Sequence, residues 1–273
     1  MKKYFSILSL LALLSCSTAY QQIVSLGSTD AVLADNGDFV YSDDDYVINY
    51  NFWANGGAVS FIFTNNTDRD VYVDLSRSFL IVNGMTFDYF QNRTWTSYGS
   101  SSLMSGSTVT GTTNSGVNVT ESCGLWIPAH ASRSFCEFSL MNTPFRKCGF
   151  PRNPSKREDA SLVFSRQNTP FTYENMIMVV ADGKDYRIIN RFFVQSITNI
   201  KESETYKVAE ETNCKGDKTG EEYKIYKYAS HNKFYVNYIV DPLAKTKVDQ
   251  SDRVKPDKTA ASPKKFFNDG LYQ

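Results

Sequence analysis

The sequence predicts a mainly β protein, an antiparallel β-sandwich with elaborations, and three observations carry that prediction. Aromatic residues make up 14% of the 273, with 17 Tyr and 19 Phe against 15 Gly and 8 Pro, a composition suited to pleated, half-buried strands. Short apolar runs recur about every ten residues, the rhythm of a sandwich or barrel, and no helical period of comparable length competes. Asn-Gly and Asp-Gly pairs punctuate these runs where tight hairpin turns are needed.

Residues 1–15 read as a signal peptide: Met1-Lys2-Lys3 is a basic start, and Tyr4 to Leu14 is an apolar stretch too short to span a bilayer. Leu13-Leu14-Ser15-Cys16 follows. It resembles the lipobox of bacterial signal-peptidase-II lipoproteins. That resemblance implies a diacylglycerol thioether on Cys16, a further acyl chain on its amine, and anchoring in a membrane, since several chains hold where one binds marginally. Ser17 in place of Asp implies, by the enterobacterial sorting rule, the outer membrane. The weakly apolar, polar stretch over residues 16–36 reads as a lipidated tether.

The sandwich, of one domain or two, is expected over 37–240. Tyr46 to Trp53 and Ala58 to Thr64 flank Asn55-Gly56-Gly57, a hairpin signature in which Val59, Phe61 and Phe63 share one face. Val71 to Val82 alternates and ends at Asn83-Gly84, with Met85 to Phe90 returning. Thr94 to Ser122 is rich in Ser, Thr, Gly and Asn and reads as a long loop. Strands resume at Gly124 to Ile127 and Ser134 to Leu140, and the intervening Ile127-Pro128 segment resembles the connection in many immunoglobulin-like bacterial domains. Ala160 to Ser165, Phe171 to Val180, Asp185 to Ile200 after Asp182-Gly183, Tyr223 to Tyr228 and Phe234 to Val240 complete the pattern. Residues 241–273, rich in Lys, Asp and Pro, read as a disordered tail.

Cys123, Cys136, Cys148 and Cys214 remain once Cys16 is assigned to lipid, an even number in an exported chain. Free thiols are the alternative to disulfides. If Pro128 to Ala131 is a four-residue hairpin loop, Ile127 opposes Ser132 and, counting outward, Cys123 opposes Cys136, within disulfide reach. Cys148 and Cys214 would then form the second pair.

Chemistry is sparse. His130 and His231 lie far apart in polar settings, so no zinc-site spacing exists, and no Gly-x-Ser-x-Gly elbow accompanies either. Asp43-Asp44-Asp45 lacks the glycine and terminal glutamate of a calcium loop and reads as a solvated turn. No phosphate-binding or dinucleotide fingerprint appears, so no cofactor or metal is expected. Lys plus Arg equals Asp plus Glu at 29 each, which gives no field to attract nucleic acid.

The expectation is therefore a non-catalytic, membrane-anchored envelope lipoprotein that binds or scaffolds a glycan or an envelope protein. Trp95 and Tyr98 are the expected ligand contacts on the long loop. An envelope hydrolase with carboxylates that converge only in the fold is one alternative, and a pilus-like assembly subunit with an open edge strand is another. General resemblance to sandwich-like envelope lipoproteins of Gram-negative bacteria implies only the first.

Overall fold

A computed structural model describes residues 18–105, 108–155 and 159–240. In chain order the strands are β1 (Thr18–Ser28), β2 (Val32–Leu33), β3 (Phe39–Ser42), β4 (Tyr46–Asn51), β5 (Ala58–Asn65), β6 (Val71–Val82), β7 (Met85–Asp88), β8 (Thr94–Ser105) and β9 (Thr108–Thr120). They continue as β10 (Gly124–Ile127), β11 (Ser132–Ser139), β12 (Ala160–Val163), β13 (Thr172–Ala181) and β14 (Lys184–Lys201). One helical turn, α1 (Glu202–Thr205), leads to β15 (Tyr206–Thr212), β16 (Lys218–Tyr226) and β17 (Lys233–Val240). The larger sheet runs β10-β6-β13-β14-β1-β17 with β7 on β6 and β12 on β14, and the smaller runs β11-β5-β4-β3-β2. Every ladder between these strands is antiparallel.

The hairpins form where the turn residues dictate. Asn83 (φ 48°) with Gly84 (φ 82°), and Asp182 (φ 50°) with Gly183 (φ 71°), take the left-handed backbone that matches strand twist, so β6–β7 and β13–β14 close tightly. The two sheets are stitched along one edge, where Gly56 N–H donates to Tyr235 C=O at 2.7 Å and Tyr235 N–H donates to Ala54 C=O at 3.2 Å. Gly57 (φ 75°) sits at that seam, and a β-carbon there would come within 2.7 Å of the Phe234 ring.

Alternation aims Ile48 and Tyr50 of β4 and Phe61 and Phe63 of β5 at the larger sheet, all at or below 1% exposure. Across the interface Phe192 meets Tyr50, Phe52 and Phe39 at centroid separations of 4.9, 5.1 and 5.4 Å. Each such ring contributes roughly 2–3 kcal/mol by leaving water. The core also holds a polar chain. Tyr89 Oη donates to Asn175 Oδ1 (2.8 Å), Asn175 Nδ2 donates to Tyr50 Oη (2.9 Å), and Tyr50 Oη donates to Asn190 Oδ1 (2.6 Å).

Three expectations are corrected. Residues 18–28 of the expected tether are not a tether but strand β1, held between β14 and β17 with Tyr20 to Val24 all buried. The strand lacks polar alternation because both of its faces are covered. Buried Gln22 earns its place through hydrogen bonds: its Nε2 donates to Asn199 Oδ1 (2.9 Å) and Phe145 C=O (3.1 Å), and its Oε1 accepts from Phe145 N–H (2.7 Å).

The expected loop at Thr94 to Ser122 is instead mostly a β-hairpin, β8 on β9, in register from Thr94↔Thr120 to Ser105↔Thr108. Backbone pairing needs no apolar side chains, and Thr and Val favour extended backbone. The base of this hairpin is tied down by Arg93, whose Nη2 reaches Glu121 Oε1 (2.6 Å) and Glu137 Oε2 (2.8 Å).

Third, β10 and β11 do not pair. β10 lies on β6 in the larger sheet and β11 on β5 in the smaller, so Pro128 to Ala131 crosses between sheets. The register that opposed Cys123 to Cys136 therefore does not exist. Cys123, Cys136, Cys148 and Cys214 are all free and exposed. Cys16 and the tail over 241–273 lie outside the described residues.

Candidate functional site

One end of the sandwich gathers an open cleft of about 430 Å³ from both sheets. The β3–β4 turn supplies Asp43, Asp44 and Asp45, flanked by Tyr41 and Tyr46, and the start of strand β14 supplies Asp185, Tyr186, Arg187 and Ile188. The acidic turn is built by its own first residue. Asp43 Oδ1 accepts from the amides of Asp45 (2.9 Å) and Tyr46 (2.7 Å), while its Oδ2 accepts from Tyr41 Oη (2.8 Å). This is an Asx turn, which bends the chain back without glycine. Burial, then the hydrogen bond to Asp43, pushes the Tyr41 hydroxyl up to about 12.

The carboxylates differ in how free they are. Asp185 is gripped by both Nη atoms of Arg77, and Asp43 is spent on the turn. Asp44, exposed, and Asp45, half-buried, line the cleft and make no side-chain hydrogen bond or ion pair among the described residues. Tyr46 lines the cleft with 2% exposure, and its hydroxyl is shielded from solvent with no hydrogen-bond partner. Burial, then the Asp45 carboxylate, raises its pKa. A shielded hydroxyl left unpaired costs about 1–3 kcal/mol, which a ligand atom or an ordered water reaching it would recover.

The same end carries an aromatic pair on the outer face. Trp126 of β10 is 64% exposed and meets Tyr72 of β6 with ring centroids 5.2 Å apart. The two residues oppose each other in register, so both rings point away from the core. An exposed Trp beside a Tyr is a stacking surface for a sugar face or an apolar side chain.

Trp95 and Tyr98 fall on β8, where backbone register places them opposite Val119 and Gly116, but their side chains lie outside the described residues. His130 sits at an exposed turn (φ 54°) with Nε2 2.8 Å from Asp68 Oδ1, whereas His231 pairs with Asp38 near the start of β17. The two histidines serve separate turns. Among the described residues no group of three or more His, Cys, Asp or Glu is placed to hold a metal ion, and no helix is long and apolar enough to cross a membrane.

No protein-family model, curated protein or solved structure matches the chain. The cleft has to be read from its own chemistry.

Sequence reasoning singled out Asp43 to Asp45 as a solvated turn and missed what faces it. Tyr186 and Ile188 are more than a hundred residues away in sequence, and only the pairing of β14 in the opposite sheet brings them across. Trp126 carried a weak signal: a strand over Gly124–Ile127 puts Trp126 and Ile127 on opposite faces, and Ile127 is buried while Trp126 is exposed.

Proposed function

We propose that the protein is a lipid-anchored, non-catalytic binding module of the bacterial cell envelope, and that its cleft end engages a glycan. The observation that carries this reading is the pairing of free acceptors, Asp44 and Asp45, with the tyrosine-lined floor and the neighbouring Trp126–Tyr72 pair. Carboxylates accept hydrogen bonds from sugar hydroxyls and amino groups, and aromatic faces cover the apolar face of a pyranose. Hydrolysis is the weaker reading. A glycosidase pairs a protonated carboxyl with an ionised one in a sheltered site. Here Asp43, Asp44 and Asp185 are exposed, and two of these three are already engaged.

A glycan array and an envelope pull-down with wild type, Asp44→Asn/Asp45→Asn and Trp126→Ala test the reading. Glycan binding by wild type that falls at least tenfold in both variants is the expected result. Capture of a protein with no glycan bound, or glycan binding unchanged in both variants while they remain folded, refutes it. The anchor is tested separately by mass spectrometry of the mature amino terminus, where an unacylated Cys16 refutes it.

A further inference from the structure

The opposite end of the molecule carries the complementary charge. Lys201 of β14, Tyr20 of β1 and Tyr238 of β17 oppose one another in register, so they form one row across three strands on the same sheet face. Tyr20 and Tyr238 stack at 5.7 Å, and the Arg152 guanidinium lies 5.2 Å from the Tyr238 ring centroid. The segment bearing Arg146 and Arg152 is clamped onto this face. Gln22 holds Phe145 by both its amide and its carbonyl, Asn199 Nδ2 donates to Pro151 C=O (2.8 Å), and Tyr238 Oη donates to Arg152 C=O (2.6 Å).

No carboxylate among the described residues pairs with Arg146, Arg152 or Lys201, and the nearby Glu202 is taken by Lys224. Arg152 Nε is shielded from solvent and unpartnered. Burial, then the like charge of Arg146, lowers the Arg152 pKa. A partly buried cation beside a second cation is costly unless an anion completes the site.

We propose that Arg146, Arg152 and Lys201, framed by the Tyr20–Tyr238 stack, form an anion site that takes the phosphates of membrane lipid headgroups and seats the sandwich on the leaflet. The choice of a lipid phosphate rests on the anchor reading above. Cys16 precedes Thr18 by two residues and Tyr20 by four, so the chain cannot carry its acyl chains more than about 14 Å from Tyr20. With 18–28 paired as a strand, no tether separates this patch from the bilayer.

The test uses the mature chain from residue 16 with Cys16→Ser, which keeps every described residue and removes the acyl chains. Co-sedimentation is measured with vesicles of phosphatidylglycerol mixed into phosphatidylcholine, and with phosphatidylcholine alone. The expected result is binding to the anionic vesicles only, weakening with salt. It should fall about fivefold for Arg146→Gln or Lys201→Gln and about a hundredfold for the triple variant with Arg152→Gln. The Arg146→Gln and Lys201→Gln variants, at an exposed and a half-buried position, keep the test valid if Arg152→Gln unfolds. Equal binding to both vesicle types, no binding, insensitivity to the substitutions, or binding of inorganic phosphate by calorimetry without vesicle binding each overturns the proposal. An unacylated native Cys16 alongside anionic-vesicle binding would overturn the anchor and leave the anion site standing.

Discussion

Gln22→Ala distinguishes a structural strand from a tether by a measurable amount. Gln22 is 1% exposed and makes three hydrogen bonds through its side chain, two to the backbone of Phe145 and one to Asn199. Truncation orphans the Phe145 amide and carbonyl and Asn199 Oδ1. Each buried group left unpaired costs about 1–3 kcal/mol, and because the Phe145 bonds are only part-buried the low end applies to them, for a total near 3–4 kcal/mol. Against a domain stability of about 5–15 kcal/mol that is a large fraction. Urea unfolding with linear extrapolation should show the midpoint fall at unchanged slope, and hydrogen exchange should show the Phe145 amide lose protection while the Tyr50 amide keeps it. An exposed tether residue would cost less than about 0.5 kcal/mol. A loss below about 1 kcal/mol with Phe145 still protected would refute the reasoning.

Three further outcomes follow from single contacts. Gly57→Ala should cost more than about 1 kcal/mol in thermal unfolding, since it places a β-carbon at φ 75° and against the Phe234 ring; an unchanged midpoint would show that the seam can shift. Tyr50→Phe leaves Asn190 Oδ1 and Asn175 Nδ2 without their shared hydroxyl and should cost about 2–4 kcal/mol in urea, whereas a neutral result would mean that the two amides re-pair with each other. The Tyr41 hydroxyl, pushed up to about 12, holds its proton in the folded state after an unfolded tyrosine has lost it near 10. Its contribution to stability is therefore complete below pH 10 and declines as pH rises toward 12. Carbon-13 NMR of labelled tyrosine should show the Tyr41 Cζ titration move down on Asp43→Asn, and no movement would remove Asp43 as a cause.

What the sequence displays is what one strand and its turn decide alone. Asn83-Gly84 and Asp182-Gly183 announce their hairpins because only a few residues tolerate that backbone, and β4 and β5 announce their inward faces because one side of each meets water. Strand β1 is hidden for the opposite reason. It is covered on both faces, so Gln21 and Gln22 break the apolar pattern without marking solvent, and the partners that satisfy Gln22 lie far off at 145 and 199. The β10–β11 crossing is hidden because Pro128 to Ala131 fits a hairpin loop as well as an inter-sheet corner. Its outcome is decided by Val71 to Asp74 of β6 offering an open edge to β10. The acidic half of the cleft was legible at Asp43 to Asp45, but its facing wall was not.

The two ends of the molecule are connected by one strand and separated by its length. β14 runs 18 residues, Lys184 to Lys201, roughly 55 Å at a strand rise near 3.3 Å. Its first residues wall the acidic cleft, and its last residue joins the cationic row. At physiological ionic strength the screening length is about 8 Å, so neither end feels the other's charge through solvent. Coupling through the strand would need a second packing of β14, which would have to re-seat its buried inward side chains Ile188, Asn190, Phe192 and Val194. Charge removal at Asp44 and Asp45 should therefore leave vesicle binding unchanged, and removal at Arg146 and Lys201 should leave glycan binding unchanged. Under the proposed seating of the cationic end on a leaflet, the length of β14 would place the cleft some tens of ångströms out from the membrane, within reach of the proposed glycan.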